Sequence, residues 1–343
     1  MKNRRLVLDA HRNLEIIAEE VPKPQKNEVL IRIVANGICG SDVHFFKEGR
    51  LGNFVVTEPY TPGHECSGYV AGLGEDVAEF GVGDRVVIEP GIPCSTCLYC
   101  KTGVYHMCKK VIFLSAPPIN GTFCDYIAVR KDMVFPFSDA LTYEQAAFAE
   151  PTAVAVHSVN KAGGVLGKDA VIIGSGAIGL LVLQVFKAAG GNKAVMVDML
   201  DNRLEIAKGL GADEVINPLK SNMASNLGDV VFETAGSVKA TEILFDVAKT
   251  NATVVQVGWP DGNIVPLDVA ALNDKELTYK GVNRYANAYP AALLLLANGR
   301  VAVDAVITKK FDFENVIEAF NFAANNAAQS MKIIVVNENT IPS

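Results

Sequence analysis

Four cysteines share the spacing C-x2-C-x2-C-x7-C within fifteen residues: Cys94, Cys97, Cys100 and Cys108. Thiolates are preferred ligands of Zn²⁺, and four of them close a tetrahedral site with no open position. Flanking lysines would offset part of the charge that four thiolates bring to a divalent ion. The alternative, a loop of free thiols, would leave an oxidisable surface. We therefore expect a structural zinc that pins a small lobe at about residues 90–112.

A second set of donors lies upstream and mixes a thiolate, an imidazole and a carboxylate: Cys39, His64 and Glu65. Three protein ligands leave the fourth position of a zinc ion open, as in catalytic sites. The pair His64-Glu65 is not the H-E-x-x-H motif, because position 68 is Gly68. A histidine beside a glutamate is usually an ordinary polar pair, so the surrounding sequence has to decide.

A glycine-rich segment, Gly174-Ser175-Gly176-Ala177-Ile178-Gly179, follows the apolar run Ala170–Ile173 and precedes an apolar helical stretch. Asp198 lies nineteen residues past Gly179, at the end of the next predicted strand. A strand, a glycine-rich turn, a helix and a later acidic residue together predict a dinucleotide site. The alternative is a plain structural turn with a surface aspartate. The candidate cofactor-binding residues are Gly174, Gly176, Ile178, Gly179, Asp198 and Arg203.

The carboxylate of Asp198 decides which dinucleotide we expect. It would accept hydrogen bonds from the adenosine ribose hydroxyls and repel a 2′-phosphate, which favours NAD over NADP. Arg203 is the nearby cation that opposes this preference.

The elements that position these residues change in character near the middle of the chain. The first half contains short β-branched segments, and helical spacing first appears at Tyr143–Val159. From Ala170 onwards strands alternate with helices, including a predicted helix at Lys239–Ala248, which predicts a parallel doubly wound sheet. The chain ends in an apolar strand, Lys332–Val336, that we expect to return to the first domain. The fold class is α/β.

Composition narrows the classes of function. The chain has 343 residues, a net charge of −7 and a pI near 5.4, which suit two domains and argue against nucleic-acid or membrane partners. No signal peptide or membrane span is evident in the sequence. We expect a cytoplasmic, reducing location, where clustered cysteines bind metal in preference to forming disulfides.

The motifs together resemble a known family. The closest stretches are GICGSDVHFFKEGRLGNFVV at 37–56, VVIEPGIPC at 86–94 and NRYANAYP at 283–290. These resemble the zinc-containing medium-chain alcohol dehydrogenases over essentially the whole chain, and the sorbitol (polyol, L-iditol) dehydrogenases most of all. The resemblance implies a GroES-like, β-rich catalytic domain at 1–152 and 285–343, with a Rossmann NAD-binding domain at 153–284.

The resemblance also implies roles for single residues. Cys39 and His64 would bind the catalytic zinc, and either Glu65 or Glu150 would complete the ligand set. Asp42 would orient His64 through a hydrogen bond. The family's proton relay corresponds to Ser41 and His44. The implied reaction is oxidation of a secondary hydroxyl of a polyol to the ketose, with hydride transfer to NAD.

The substrate residues implied by the resemblance are Phe45, Glu150, Arg284 and Tyr285. Phe45 stands where sorbitol dehydrogenases often have tyrosine, and simple packing is an equal alternative for it. A sugar-alcohol phosphate, a sugar acid or another secondary alcohol remains open as substrate, as does a non-catalytic NAD-binding protein. Relatives are commonly dimers or tetramers, so the resemblance implies a homo-oligomer.

Overall fold

A computed structural model describes residues 2–260, 262 and 264–337 of the chain. These residues form two compact units, divided at residues 150 and 307: the described residues before and after these points form one unit, and those between them form the other. None of the described helices combines the length and apolarity that a bilayer crossing requires.

The first unit is rich in short strands. Its elements up to the crossing into the second unit are β1 (Lys2–Leu8), β2 (Leu14–Glu20), β3 (Glu28–Ile38), α1 (Gly40–Glu48), β4 (Arg50–Leu51), β5 (Phe54–Val55), β6 (Glu65–Leu73), β7 (Arg85–Ile88), β8 (Gly91–Ile92), α2 (Leu98–Lys101), β9 (Ile112–Phe113), β10 (Tyr126–Arg130), β11 (Val134–Pro136) and α3 (Tyr143–Ala146). The helix α4 (Ala149–Ala162) begins in the first unit and lies mostly in the second. Short 3₁₀ turns cover Tyr105–Met107 and Lys131–Met133.

The second unit alternates strands and helices. Its elements after α4 are β12 (Ala170–Ile173), α5 (Ala177–Ala188), β13 (Ala194–Val197), α6 (Asp201–Gly209), β14 (Glu214–Ile216), β15 (Gly228–Glu233), α7 (Val238–Glu242), α8 (Leu244–Val247), β16 (Ala248–Gln256), α9 (Val269–Asp274), β17 (Thr278–Gly281) and α10 (Tyr289–Ala297). The chain then returns to the first unit with β18 (Ile307–Asp312), the 3₁₀ turn Phe313–Asn315, α11 (Val316–Asn325) and β19 (Lys332–Val336).

The main sheet of the first unit is organised around β3. The strand order is β11-β7-β6-β3-β19-β18, and β10 pairs with β3 as well. Almost every residue of β3 is buried, so both faces of this strand are covered. Its antiparallel partner β19 comes from the far end of the chain, with Ile333 opposite Ile38.

The sheet of the second unit has six parallel strands in the order β14-β13-β12-β15-β16-β17. This is the Rossmann order, with the change of direction at β12 and β15. All four residues of β12 and of β13 are buried, as expected for strands covered on both faces. The predicted α/β class, with a β-rich domain and a doubly wound parallel sheet, is confirmed.

The return to the first unit lies further along the chain than the expected boundary at residue 285, because residues 285–306 belong to the second unit. Buried Gln184 on α5 fixes this segment: its Oε1 accepts from the backbone N–H of Ala302 at 2.8 Å, and its Nε2 donates to the Ala302 carbonyl at 3.1 Å. The crossing out of the first unit falls after Glu150, close to the expected 152.

Candidate functional site

The three donors Cys39, His64 and Glu65 come together because of strand pairing. Cys39 directly follows β3 and caps α1, while Glu65 opens β6, and the register of the two strands places Gly37 opposite Glu65. One ligand atom from each of the three donors lies within 4.8 Å of the others. A sulfur, a nitrogen and an oxygen at this spacing suit the three protein ligands of a zinc ion.

The charges around His64 also suit a cation. His64 is buried, and burial by itself lowers the pKa of its imidazole. The opposing effects of Cys39, Asp42 and Glu150 are larger and raise that pKa well above its ordinary value. A cluster that attracts a proton this strongly would equally attract a divalent ion, so the donor set fits zinc.

Asp42 does not make the expected hydrogen bond to His64, because its Oδ1 lies 3.9 Å from His64 Nδ1. The fully buried carboxylate instead accepts from the backbone N–H groups of Cys39 at 3.0 Å and Gly63 at 3.1 Å. It also accepts from the hydroxyl of Ser115 at 2.9 Å. Asp42 therefore fixes the backbone next to the candidate ligands Cys39 and His64. Ser115, which hydrogen-bonds to Asp42, was not predicted from the sequence.

Glu65 has a buried cationic partner. Lys332, on β19, donates from Nζ to Glu65 Oε1 at 2.7 Å and Oε2 at 2.5 Å, and to the Ile38 carbonyl at 3.2 Å. Burial lowers the pKa of Lys332, but the charges of Glu65 and Cys39 outweigh it and raise the pKa. Both oxygens of one proposed ligand are therefore engaged by a lysine.

Glu150 lies outside the group of three donors, although it is close enough for its charge to raise the pKa of His64. The ring of Phe113 lies 5.5 Å from the imidazole of His64, a neighbour that sequence reasoning missed. Phe45 is 4% exposed and packs edge-on against Tyr60, with ring centroids 6.1 Å apart. This location supports the packing interpretation of Phe45, and a substrate contact by its ring stays a prediction.

Ser41 and His44 both lie on α1, three residues apart and hence on one side of the helix. Ser41 is half-buried, whereas the His44 side chain is 38% exposed. His44 Nδ1 lies 3.1 Å from Glu48 Oε1 on the next turn. Both residues thus lie on the helix that Cys39 caps, and a role in proton transfer stays a prediction.

The four cysteines of the C-x2-C-x2-C-x7-C motif form one cluster, with their sulfurs within 4.8 Å of one another. The Sγ–Sγ distances are 3.9 Å for Cys94–Cys100 and 3.4 Å for Cys97–Cys100. A tetrahedral zinc with bonds of about 2.3 Å requires separations of about 3.8 Å. Hydrogen bonding by Thr96 lowers the pKa of the Cys94 thiol to about 5, which favours a thiolate ligand. The quartet therefore fits a closed zinc site.

The cysteine lobe is tied to the main sheet by a buried carboxyl. Glu89 follows β7 and its Oε1 accepts from the hydroxyl of Tyr105 at 2.7 Å. Burial raises the pKa of Glu89 to about 7, and the hydrogen bond from Tyr105 opposes that rise.

Exchanging Glu89 for glutamine is expected to flatten the pH dependence of stability. In the unaltered protein the folded state keeps a proton between pH 4.5 and about 7 that the unfolded chain releases. The free energy of unfolding should therefore fall by up to about 3 kcal/mol as pH rises through that window. Urea unfolding of both proteins at about pH 5 and pH 8 measures the difference. Parallel pH profiles would contradict the prediction.

The glycine-rich loop has the conformation that its sequence requires. Gly174 has φ +101°, and a Cβ there would lie 2.8 Å from the backbone N of Ala235. A Cβ on Gly179 would lie 1.8 Å from the Gly174 carbonyl oxygen, so strand and helix touch at this point. Gly176 is the N-cap of α5, and a Cβ added to it would have only Arg203 Nη1 within 4 Å, so this side of the helix N-terminus is open. An open helix N-terminus suits a pyrophosphate.

Asp198 is fixed against that loop. Its Oδ2 accepts a hydrogen bond from the backbone N–H of Ser175 at 2.7 Å, and its Oδ1 accepts one from the backbone N–H of Leu200 at 2.9 Å. Each carboxylate oxygen can accept a further hydrogen bond, so Asp198 keeps capacity for ribose hydroxyls. The Ser175 hydroxyl oxygen is buried and hydrogen-bonds to no other described residue. These features fit the adenosine half of a dinucleotide.

Arg284 and Tyr285 lie in the second unit, after β17. Arg284 has φ +55° and is half-buried, and burial lowers the pKa of its guanidinium. Tyr285 is 3% exposed, with its ring 5.7 Å from that of Tyr289. Their expected contact with substrate stays a prediction.

Comparison with known proteins gives matches over both units. Residues 25–139 match the family profile of the alcohol dehydrogenase GroES-like domain, and residues 177–298 match that of zinc-binding dehydrogenases. The chain is 37% identical to a sorbitol dehydrogenase of Bacillus subtilis (strain 168), over 95% of each chain. It is 34% identical to a D-xylulose reductase of Saccharomyces cerevisiae, over 96% of each. The solved L-idonate 5-dehydrogenase of Escherichia coli matches 98% of both chains at 30% identity, with a TM-score of 0.90.

Proposed function

Because this chain belongs to the zinc-dependent alcohol dehydrogenase family, in the polyol and sugar-alcohol branch, we propose that it oxidises a secondary hydroxyl of a polyol to the ketose with NAD. The family uses NAD or NADP. Sorbitol and xylitol are the substrates we favour. The observation that carries the proposal is the cluster of Cys39, His64 and Glu65.

The proposed ligands of the catalytic zinc are Cys39 and His64, completed by Glu65 or Glu150. A zinc ion bound there would act as a Lewis acid that lowers the pKa of the alcohol. The protein contributes the orientation of these donors, and Asp42 does this by fixing the backbone at Cys39 and Gly63. The structural zinc would be held by the four cysteines of the C-x2-C-x2-C-x7-C motif.

We assign the proton path to Ser41 and His44. In this path the half-buried Ser41 would take the proton first, the nicotinamide ribose would pass it on, and His44, whose side chain reaches solvent beside Glu48, would release it. A histidine suits this task because its imidazole can accept a proton on one ring nitrogen and donate one from the other. NAD would accept the hydride, so this chain's residues bind, orient and carry the proton.

Exchanging Asp198 for asparagine is expected to lower the preference for NAD over NADP by about ten-fold or more, because a charge facing the ribose is lost. The ratio of kcat/KM for the two cofactors measures the effect. Asp201→Asn is the matched control, since this carboxylate lies three residues away and contacts Asn217 and Lys220. An unchanged ratio, or an unaltered enzyme that prefers NADP, would contradict the assignment.

The substrate proposal is tested by a panel of alcohols at fixed pH. We expect sorbitol and xylitol to give the highest kcat/KM with NAD, measured as NADH absorbance. The panel should include L-idonate, a polyol phosphate and 2,3-butanediol. Turnover of those compounds without turnover of polyols would refute the polyol assignment while leaving the dehydrogenase assignment in place.

A sugar acid is the second candidate substrate class. The similarity to L-idonate 5-dehydrogenase favours it, and so does the half-buried guanidinium of Arg284, which would bind a carboxylate or a phosphate. Arg284→Gln should then raise KM for the anionic substrate far more than KM for a neutral polyol.

We also propose a cytoplasmic homo-oligomer. The strand β17 forms the edge of its sheet, and β16 is its one partner among the described strands. An open edge invites pairing with a second copy of the chain. Free thiolate ligands suit a reducing compartment. Light scattering of the purified protein would detect a dimer or tetramer, and a monomer would refute the assembly.

A further inference from the structure

A buried carboxylate, Glu233, lies at the end of β15. In the sequence it is far from the cysteine quartet and from the cluster of Cys39, His64 and Glu65. Glu233 is fully buried, and no described cation forms an ion pair with it. Burial raises its pKa, which hydrogen-bond donors partly offset. Burying a carboxylate costs free energy unless hydrogen bonds replace those it made to water. The groups that donate hydrogen bonds to Glu233 are therefore the ones it holds in place.

Glu233 begins a relay of hydrogen bonds across three neighbouring strands. Its Oε1 accepts from the backbone N–H groups of Ala235 and Gly236, both at 2.9 Å. Its Oε2 accepts from Gln256 Nε2 at 2.6 Å, and Gln256 Oε1 in turn accepts from the hydroxyl of Tyr279 at 2.8 Å. The relay therefore joins β17 to the carboxyl ends of β15 and β16.

The same residue fixes the turn that follows β16. The backbone carbonyl of Glu233 accepts from the N–H groups of Val257 at 2.8 Å and Gly258 at 3.0 Å. Gln256 Nε2 also donates to the Gly258 carbonyl at 2.8 Å. A Cβ on Gly258 would lie 2.3 Å from Gly236 N and 2.6 Å from Glu233 Oε2. The turns at 234–237 and 257–259 are thus packed together around one carboxylate.

These two turns lie where a dinucleotide is expected. Ligands of doubly wound sheets bind outside the carboxyl ends of the strands, one mononucleotide half to each half of the sheet. The glycine-rich loop after β12 receives the adenosine side, and β15 to β17 belong to the other half. Thr234 Oγ1 donates to the Gly174 carbonyl at 3.0 Å, so the turn at 234–237 adjoins the glycine-rich loop.

We propose that Glu233 is a positioning residue for the nicotinamide half of the cofactor, acting through the turns at 234–237 and 257–259. This inference rests on the proposed use of NAD. Glu233 does not touch the cofactor itself, since it is wholly buried among backbone donors. Its role is to hold backbone groups of both turns in one arrangement before the cofactor arrives.

The test compares a whole cofactor with one that lacks nicotinamide. Glu233→Gln replaces one acceptor oxygen by an N–H donor, so at least one bond of the relay is lost. We expect its Kd for NADH to rise about ten-fold, from the loss of one such bond. Its Kd for ADP-ribose should stay within about two-fold, because the side-chain hydrogen bonds of Glu233 run to the turn at 234–237 and to Gln256 and not to the glycine-rich loop or Asp198. We expect the emission of Trp259, the single tryptophan, to change when NADH binds, because this residue follows Gly258 in the turn at 257–259.

Two further variants separate positioning from general destabilisation. Gln256→Met breaks the relay at another point and should reproduce the selective loss for NADH, which also covers the case in which Glu233→Gln does not fold. Gln184→Leu removes buried hydrogen bonds elsewhere in the unit and should lower Tm without a selective loss. Equal losses for NADH and ADP-ribose, or unchanged NADH binding by folded variants, would overturn the inference. An unaltered chain that binds neither compound would overturn the cofactor assignment and this inference with it.

Discussion

Cys39→Ser is expected to lose one of two bound zinc ions and to lower kcat/KM on the order of a thousand-fold or more. A serine hydroxyl is a poor replacement for a thiolate, so the open site loses its softest ligand. Lewis-acid activation of an alcohol is worth several kcal/mol, and each 1.36 kcal/mol of barrier is about ten-fold in rate. Elemental analysis of the purified variant measures the loss of zinc. The value of kcat/KM with a polyol, determined on the same sample, measures the loss of activity.

A matched control is available among the remaining thiols. Cys124 is buried in the hydrophobic core of the first unit. It belongs neither to the cysteine quartet nor to the cluster of Cys39, His64 and Glu65. Cys124→Ala should keep two zinc ions and near-normal turnover. Cys97→Ser should instead lose the other zinc and lower thermal stability. If the Cys39→Ser variant, with its zinc content measured, still showed full turnover, the proposed catalytic zinc site would be refuted.

Lys332→Met is expected to lower the free energy of unfolding by about 3–5 kcal/mol. The lysine is 4% exposed, and its removal leaves the Glu65 carboxylate buried without the cation that now contacts both oxygens. Urea unfolding of the purified protein measures the loss. Lys309→Met, on the neighbouring strand β18, is the matched control; its exposed ammonium lies over the rings of Phe311 and Phe322, and its loss should cost about 1 kcal/mol.

A double variant identifies the cause of that loss. Glu65→Gln with Lys332→Met removes both charges, so its destabilisation should be smaller than the sum of the single changes by on the order of 2 kcal/mol. Strictly additive losses would show that the two side chains do not depend on each other. In that case Lys332 would stabilise the sheet by packing alone.

The cysteine quartet and the glycine-rich loop could be predicted because their spacings define a site within one short segment. Cys39, His64 and Glu65 are more widely spaced, and the family resemblance was needed to assign them. The structure brings the members of each candidate donor set within 4.8 Å of one another. Lys332 could not be found in this way, since 267 residues separate it from Glu65. Ser115 and Glu233 are similar cases, because burial gives each its importance and burial follows from tertiary packing.

The predicted elements were most accurate where apolar strands are fully buried. The strands Ala170–Ile173 and Lys332–Val336 have the predicted bounds. The helix predicted at Tyr143–Val159 is two helices, α3 and α4, because Pro151 cannot donate a backbone hydrogen bond and lies in the first turn of α4. The helix predicted at Lys239–Ala248 likewise divides at Ile243 into α7 and α8.

The pairing of β19 with β3 has a consequence for synthesis on the ribosome. Cys39, His64 and Glu65 emerge early, but strand β19, which pairs with β3 and carries Lys332, emerges 267 residues after Glu65. Until then the nascent amino-terminal half has an unpaired strand edge and an acidic side chain without its counter-charge. The buried pair of Glu65 and Lys332 therefore forms only after nearly the whole polypeptide has been made.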